Sequence, residues 1–136
     1  MDIQIKNLSV SFSSPQGDAK VLRDADIILK SGKITAIVGE SGSGKSILGA
    51  AVMGLLEQPV WVSGKILFGD TDLLSLSEKE LNSVRGSRIG WIAQDPVAAM
   101  DPMMKVGGQM IEGVHFYQDG KDTKADGLRQ MEEFGL

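Results

Sequence analysis

Residues 39–46 read Gly-Glu-Ser-Gly-Ser-Gly-Lys-Ser ("GESGSGKS"), and what stands on either side of them decides their meaning. Before them, residues 34–38 ("ITAIV") form a short, mostly apolar run of the kind that suits a strand buried on both faces. After them, Ile47, Leu48, Ala51, Val52 and Leu55 fall at helical spacing. Strand, then G-x-x-x-x-G-K-[ST], then helix is the context in which a glycine loop cradles phosphate. Gly39, Gly42 and Gly44 let the backbone turn tightly and bring successive N–H groups toward one centre. The helix start adds unpaired amides and the positive end of the helix dipole. Lys45 is expected to reach the β and γ phosphates, and Ser46 to offer its hydroxyl to Mg²⁺. Glu40, Ser41 and Ser43 contribute mainly through backbone, and Ile47 completes the binding set. A dinucleotide site of the GxGxxG kind fits less well, because the Lys-Ser pair would have no role in it. The bland alternative is a glycine-rich turn that binds nothing. All four fixed positions of the motif, in the right setting, weigh against it.

Outward from the loop, the N-terminal stretch alternates through Ile3 and Ile5, then Leu8, Val10 and Phe12, as half-buried strands do. A polar turn at residues 13–20 leads into a second strand over about 21–29, with Ala25, Ile27 and Leu29 on one face. The helix after the loop is expected to stop near Leu56, since Pro59 cannot continue it. Residues 64–70 ("GKILFGD") read as a short strand bounded by glycines. Ser77 with Glu80 three residues on is a capping-box pattern before a short helix. Ile89, Trp91 and Ala93 alternate as a strand that runs into a polar loop at residues 94–96. The remainder is predicted helical near 106–116 and 123–134, with Ala125, Leu128, Met131 and Phe134 on one face of the second piece. There is no internal repeat.

Composition sets the bounds. The chain has 136 residues, enough for one compact domain with a real core. Its net charge is −4 with no basic block, so general nucleic-acid or anionic-lipid affinity is not indicated. With no cysteine, disulfides, thiolate zinc sites and cysteine nucleophiles are excluded. No stretch reads as a signal peptide, and the longest mostly apolar one, residues 47–56, falls short of the ~20 residues that cross a bilayer. The default location is the cytoplasm, and any membrane role goes through a partner.

The loop alone does not choose among kinases, GTPases, motors and transport ATPases. Strands stand before it, an accessory strand and turn follows its helix, and an apolar strand ends at Gln94 about fifty residues past Lys45. With "IVGESGSGKS", "GKILFGDTDLL", "RIGWIAQDPVAAMDP" and the terminal "EFGL", the chain resembles, along essentially its whole length, the ATP-binding subunit of an ABC transporter, in particular of the peptide/nickel importer group. The fold this implies is α/β: a P-loop NTPase core with an N-terminal antiparallel β-subdomain and the start of a helical subdomain, the C-terminal part of the core being absent. Residues 1–136 would then be the N-terminal part of one ABC ATP-binding domain. Within it, 1–94 hold the β-subdomain and P-loop core, and 95–136 the Q-loop and the start of the helical subdomain.

The resemblance implies that Gln94 is the Q-loop glutamine, which contacts Mg²⁺ and the attacking-water region and links the site to the membrane subunit. Read without it, Gln94 is a polar strand-end residue facing solvent. The family also stacks an aromatic on adenine from the loop after the first strand. Ser14 stands where a tyrosine is frequent, and Phe12 is the nearest aromatic, although it also fits the core. Implied cofactors are ATP and Mg²⁺. Implied partners are a second ATP-binding subunit, transmembrane permease subunits and, indirectly, a solute-binding protein, with the chain peripheral on the inner face of the membrane. The signature "LSGGQ", the apolar strand ending in Asp-Glu and a switch histidine do not occur in the 136 residues. Asp70 after "ILFG" lacks the following acid, and His115, the only histidine, lies far before the switch position. The expectation is therefore an N-terminal part of an ABC ATPase, as a fragment or a shortened gene product, with an open sheet edge and low stability.

Three functions compete. One is an ATPase module driving solute import; another is an incomplete nucleotide-binding fragment that holds ATP-Mg²⁺ without turnover. The weakest is a soluble P-loop kinase, which would want lid arginines and a substrate acid that "LLEQPVWVSGK" does not supply. Met100, Met103, Met104 and Met110 suit either an adaptable partner groove or ordinary subdomain packing. Trp61 and Trp91 are expected in packing roles.

Overall fold

Alternating apolar residues build the first strand, β1 (Ile3–Phe12), and it pairs on both sides with antiparallel neighbours. The structure is a computed structural model. It describes residues 1–15, 17–117, 123–133 and 135, without the side chains of residues 111, 113–117, 123, 124, 126 and 130. β2 (Ala19–Leu29) lies on one side of β1, and β3 (Val60–Phe68) on the other. A two-residue β4 (Thr71–Asp72) extends the sheet to the order β2-β1-β3-β4. Ile5, Leu8, Val10 and Ile66 are the fully buried centre of the core.

Ile5 and Leu8 are three residues apart, yet both face inward. Asn7 supplies the extra residue: it sits at φ 47°, and both ladders of β1 slip register around it. A one-residue slip would otherwise turn Leu8 and Val10 outward. Its counterpart on β2 is Asp24 at φ 45°; Asn and Asp bear left-handed backbone better than other side chains. Side chains fix both irregularities. Asn7 N–H donates to Asp26 Oδ1 at 3.0 Å, the Ser9 hydroxyl donates to Asp24 Oδ1 at 3.1 Å, and Asp24 N–H donates to Ser9 Oγ at 2.9 Å. On the β3 side Gly64, at φ 103°, is required by close approach, because a Cβ there would run into the Asn7 carbonyl.

Outside the strands, Asp2 ties the start of β1 to the end of β2. Its carboxylate accepts from Lys30 Nζ at 2.8 Å and from Ser31 N–H at 2.9 Å. The Lys30 hydrogen bond first, and the Ser31 amide second, hold it below the usual carboxylate range. α1 (Lys45–Met53) buries Leu48, Ala51, Val52 and Met53. It ends earlier than residue 56, because Gly54 takes a left-handed C-cap at φ 61°, with Gly54 N–H on Ala51 O (3.1 Å) and Leu55 N–H on Ala50 O (2.8 Å). A turn of 3₁₀ helix at Leu73–Ser75 leads to α2 (Glu78–Val84). The capping box is present: Glu80 N–H reaches Ser77 Oγ at 3.4 Å, while Glu80 Oε2 accepts from Ser77 N–H at 2.8 Å and from the Ser77 hydroxyl at 2.6 Å. α3 (Val106–Tyr117) and α4 (Thr123–Glu133) complete the described elements.

Two expected strands are not formed. Residues 34–38 carry no ladder among the described residues, and Ile34 and Val38 are 102% and 90% exposed. Of the strand expected at 89–93 there is a single parallel bridge, Arg85 with Ile89, and Ile92 is 93% exposed. The reason is physical. An apolar run of this type is buried only when parallel neighbours flank it and helices cover both faces; among the described residues nothing pairs with residues 34–38, and residues 89–93 have only the Arg85–Ile89 bridge. Trp61 and Trp91 are likewise exposed, not packed. On α4 Met131 is half-buried, while Ala125 and Leu128 are exposed; Phe134 lies outside the described residues, as does the side chain of His115.

The chain divides into two compact units, Met1–Asn82 and Ser83–Leu136. The first holds the sheet, α1 and residues 39–46; the second holds Gln94, α3 and α4. Among the described residues no helix is long and apolar enough to cross a membrane. The exposed apolar runs have a measurable consequence. Light scattering on the purified 136-residue chain should show self-association that rises with concentration. A monodisperse chain with a sharp, reversible melt would contradict this.

Candidate functional site

The phosphate loop rests on β2. Gly44 is the N-cap of α1, left-handed at φ 90° and ψ 6°, and it is buried. A Cβ at this position would stand 2.7 Å from Leu22 Cδ2 and 3.2 Å from the Val21 carbonyl oxygen, so any side chain here is strained by φ and must also push Leu22 aside. Leu22 belongs to β2 and is opposite the fully buried Val10 of β1. The sheet core and the helix start therefore meet closely at Gly44.

From Gly44 onward the donors are open. The first helical bond is Leu48 N–H to Gly44 O at 2.9 Å, and no side chain caps the helix. Among the described residues, no acceptor is paired with the amides of Gly42, Gly44, Lys45, Ser46 or Ile47. Natural N-caps are usually Ser, Thr, Asp or Asn, whose oxygen satisfies one of these donors. A glycine cap leaves them for an external anion, and the helix dipole adds to the attraction.

Lys45 folds back onto the loop. Its Nζ donates to Gly39 O at 2.8 Å, to Glu40 O at 2.6 Å and to Ser43 Oγ at 3.2 Å, which uses all three of its protons. These acceptors are neutral. A phosphate oxygen carries charge and forms a stronger bond, so exchange of partners toward a polyanion is favourable. Ser46 is exposed, and its hydroxyl is paired with no protein group among the described residues. No cluster of three or more His, Asp or Glu able to hold a metal occurs among them either. A divalent cation at this loop would find the Ser46 hydroxyl, phosphate oxygens and water, all oxygen donors of the kind magnesium takes. The donors present fit a nucleotide phosphate with its cation.

A family model described as ABC transporter matches residues 22–135. The chain belongs to the ABC transporter family. Among curated ABC relatives it is 45% identical over 112 residues to the oligopeptide transport ATP-binding protein OppD of Bacillus subtilis, covering 81% of this chain and 31% of that one. It is 39% identical over 139 residues to the dipeptide transport ATP-binding protein DppD of Lactococcus lactis, covering 98% and 40%. It is 38% identical over 123 residues to OppD of Escherichia coli, covering 90% and 36%. The chain spans well under half the length of these relatives. Among solved structures, the ATP-binding cassette MJ0796, in a dimeric post-hydrolysis state bound to ADP and Pi, superposes with a TM-score of 0.84 at 20% identity, covering 98% of this chain and 57% of that one. A second dimeric structure of the same cassette gives 0.81. The fold is that of the N-terminal part of a P-loop ABC ATPase.

The other expected site residues of this ABC chain take the following places. Phe12 ends β1, half-buried, opposite Ala19 of β2 and Val60 of β3. It follows Val10 by two residues and so shares the strand face that leads to Leu22 and Gly44. Gln94, in the second unit, is exposed. Directly after it Asp95 Oδ1 accepts from Val97 N–H and Ala98 N–H, both at 3.1 Å, and this starts the turn. Asp70 lies in the β3–β4 turn, as an accessory hairpin requires. Sequence reasoning missed Leu22, Asp95 and Gln109, the last of which holds the loop that follows Gln94. Asp95 had a signal, since Asp-Pro favours turn initiation; Leu22 had none beyond its place on a strand.

Gly44→Ala tests the contact that seats the loop. The forced left-handed alanine and its contact with Leu22 should cost about 1–3 kcal/mol in urea unfolding. Unchanged stability would show that the loop is not seated on β2.

Proposed function

We propose that this chain is the nucleotide-binding part of an ATP-binding subunit that couples ATP binding and hydrolysis to solute import through separate membrane subunits. One observation carries the proposal: an uncapped α1 N-terminus with its lysine folded onto the loop, in a chain 38–45% identical to oligopeptide and dipeptide transport ATP-binding proteins. The solute class that follows is a peptide, with nickel the alternative within the same group. Residues 1–94 would form the β-subdomain and P-loop core, and 95–136 the Q-loop and the start of the helical subdomain.

Bound Mg²⁺-ATP would supply the γ-phosphoryl group whose transfer to water drives the cycle. The chain's own residues bind and orient. Backbone amides along residues 39–47 (Gly39, Glu40, Ser41, Gly42, Ser43, Gly44, Lys45, Ser46 and Ile47) surround the phosphates, and Lys45 leaves the Gly39 and Glu40 carbonyls for phosphate oxygens. The Ser46 hydroxyl holds the cation. Phe12, on the face that leads to the loop, offers its ring to the base. By the family resemblance Gln94 would act as the Q-loop glutamine, which would serve the cation and the attacking water and link the site to the permease. A second ATP-binding subunit would close over the loop, permease subunits would keep the assembly on the inner face of the membrane, and a solute-binding protein would act through them.

A second reading is a nucleotide-binding piece that holds Mg²⁺-ATP without turnover. Calorimetric titration with Mg²⁺-ATP, together with a phosphate-release assay, tests both. Lys45→Ala should weaken binding about 10- to 150-fold, the loss of charge-assisted bonds worth roughly 1.5–3 kcal/mol. Equal affinity in the variant would overturn the proposed site. Turnover by the native chain that vanishes in Lys45→Ala would eliminate the second reading.

A further inference from the structure

Gly39 opens the phosphate loop outside the left-handed region, so its φ does not call for glycine. What its bare Cα admits is a hydroxyl. A Cβ there would stand 2.8 Å from Ser43 Oγ and 3.5 Å from Ser43 Cβ, and the Ser43 side chain is its one close neighbour among the described residues. That hydroxyl accepts from Lys45 Nζ at 3.2 Å, beside the Gly39 and Glu40 carbonyls at 2.8 and 2.6 Å. Ser43 also closes the turn that carries the Glu40 carbonyl, through its own N–H on Glu40 O at 3.2 Å. Of the three acceptors on the ammonium, Ser43 Oγ is the one on a side chain. It can follow the lysine by rotating about χ1, whereas the two carbonyls move only with the backbone.

We propose that Ser43 is a positioning residue for nucleotide binding and acts through Lys45. Its hydroxyl, seated in the space that Gly39 leaves, holds the ammonium at the loop before nucleotide arrives. It stays with the ammonium when the Gly39 and Glu40 carbonyls are exchanged for phosphate oxygens. The gain is entropic: a free lysine side chain loses much rotamer freedom on binding, and one already held has less to lose. The role in nucleotide binding rests on the reading of the loop given above; the Ser43–Lys45 contact itself does not.

Three variants address the hydroxyl. Ser43→Ala removes it, Ser43→Thr keeps it, and Gly39→Ala keeps it but displaces it. In the nucleotide-free chain, ¹⁵N-resolved NMR of the Lys45 ammonium measures how fast its protons exchange with water. Exchange should accelerate about three- to tenfold in Ser43→Ala and Gly39→Ala, and stay within about twofold of native in Ser43→Thr. Calorimetric Mg²⁺-ATP affinity should fall about three- to tenfold in Ser43→Ala and return to within about twofold of native in Ser43→Thr. A double-mutant cycle separates positioning from packing of the loop: in a Lys45→Ala background, Ser43→Ala should change affinity by less than about 1.5-fold. A purely structural Ser43 would cost the same factor in both backgrounds. That result, or native ammonium exchange in Ser43→Ala, would overturn the proposal. If the native chain fails to bind Mg²⁺-ATP, the functional reading falls, and the ammonium exchange still decides the contact.

Discussion

Leu22 occupies the volume that a side chain on Gly44 would need, and most of the site's geometry follows from that contact. Leu22 is held in turn by Val10 across the β1–β2 ladder, and Val10 faces inward only because Asn7 absorbs an extra residue upstream. The same glycine leaves the start of α1 without a side-chain cap, so open amides are concentrated where the loop rests on the sheet. A serine or aspartate cap would satisfy one of these donors, a gain of roughly a few tenths of a kcal/mol over glycine, and make a poorer anion site. Stability is given up where binding needs free donors, and the Ile5, Leu8, Val10 and Ile66 core offsets the loss.

Much of this could be read from residue order, in particular ways. Alternation located β1 and β2, and the Ile5-to-Leu8 gap was a visible slip whose cause, the left-handed Asn7 and Asp24 with their Ser9 and Asp26 partners, was not. The Ser77–Glu80 box was legible because its bonds join residues three apart. The strand expected at residues 34–38 failed for the opposite reason. Its composition signals burial, but burial of a parallel strand depends on neighbours distant in sequence, and no described residue supplies them. The exposure of Trp61 and Trp91 has the same character, since an aromatic's fate is set by what covers it.

Within the site, the motif residues were legible and their present state was not. Nothing in "GESGSGKS" reveals that the Lys45 ammonium is satisfied by the loop's own carbonyls, a state in which the charge is held close to where it is needed. Lysine pays little to leave, because phosphate oxygens replace neutral acceptors with charged ones. Gln109 was illegible for a different reason: its partners lie five and eight residues back, across a turn whose shape no periodicity encodes.

The central claim is that the open amides of the α1 N-terminus receive nucleotide phosphate. A ¹⁵N-resolved titration of the chain with Mg²⁺-ATP measures this residue by residue. The expected result is saturable binding in which the amides of Gly42, Gly44, Lys45 and Ser46 shift most. Saturable shifts elsewhere with these four unmoved, or no saturable binding, would contradict it.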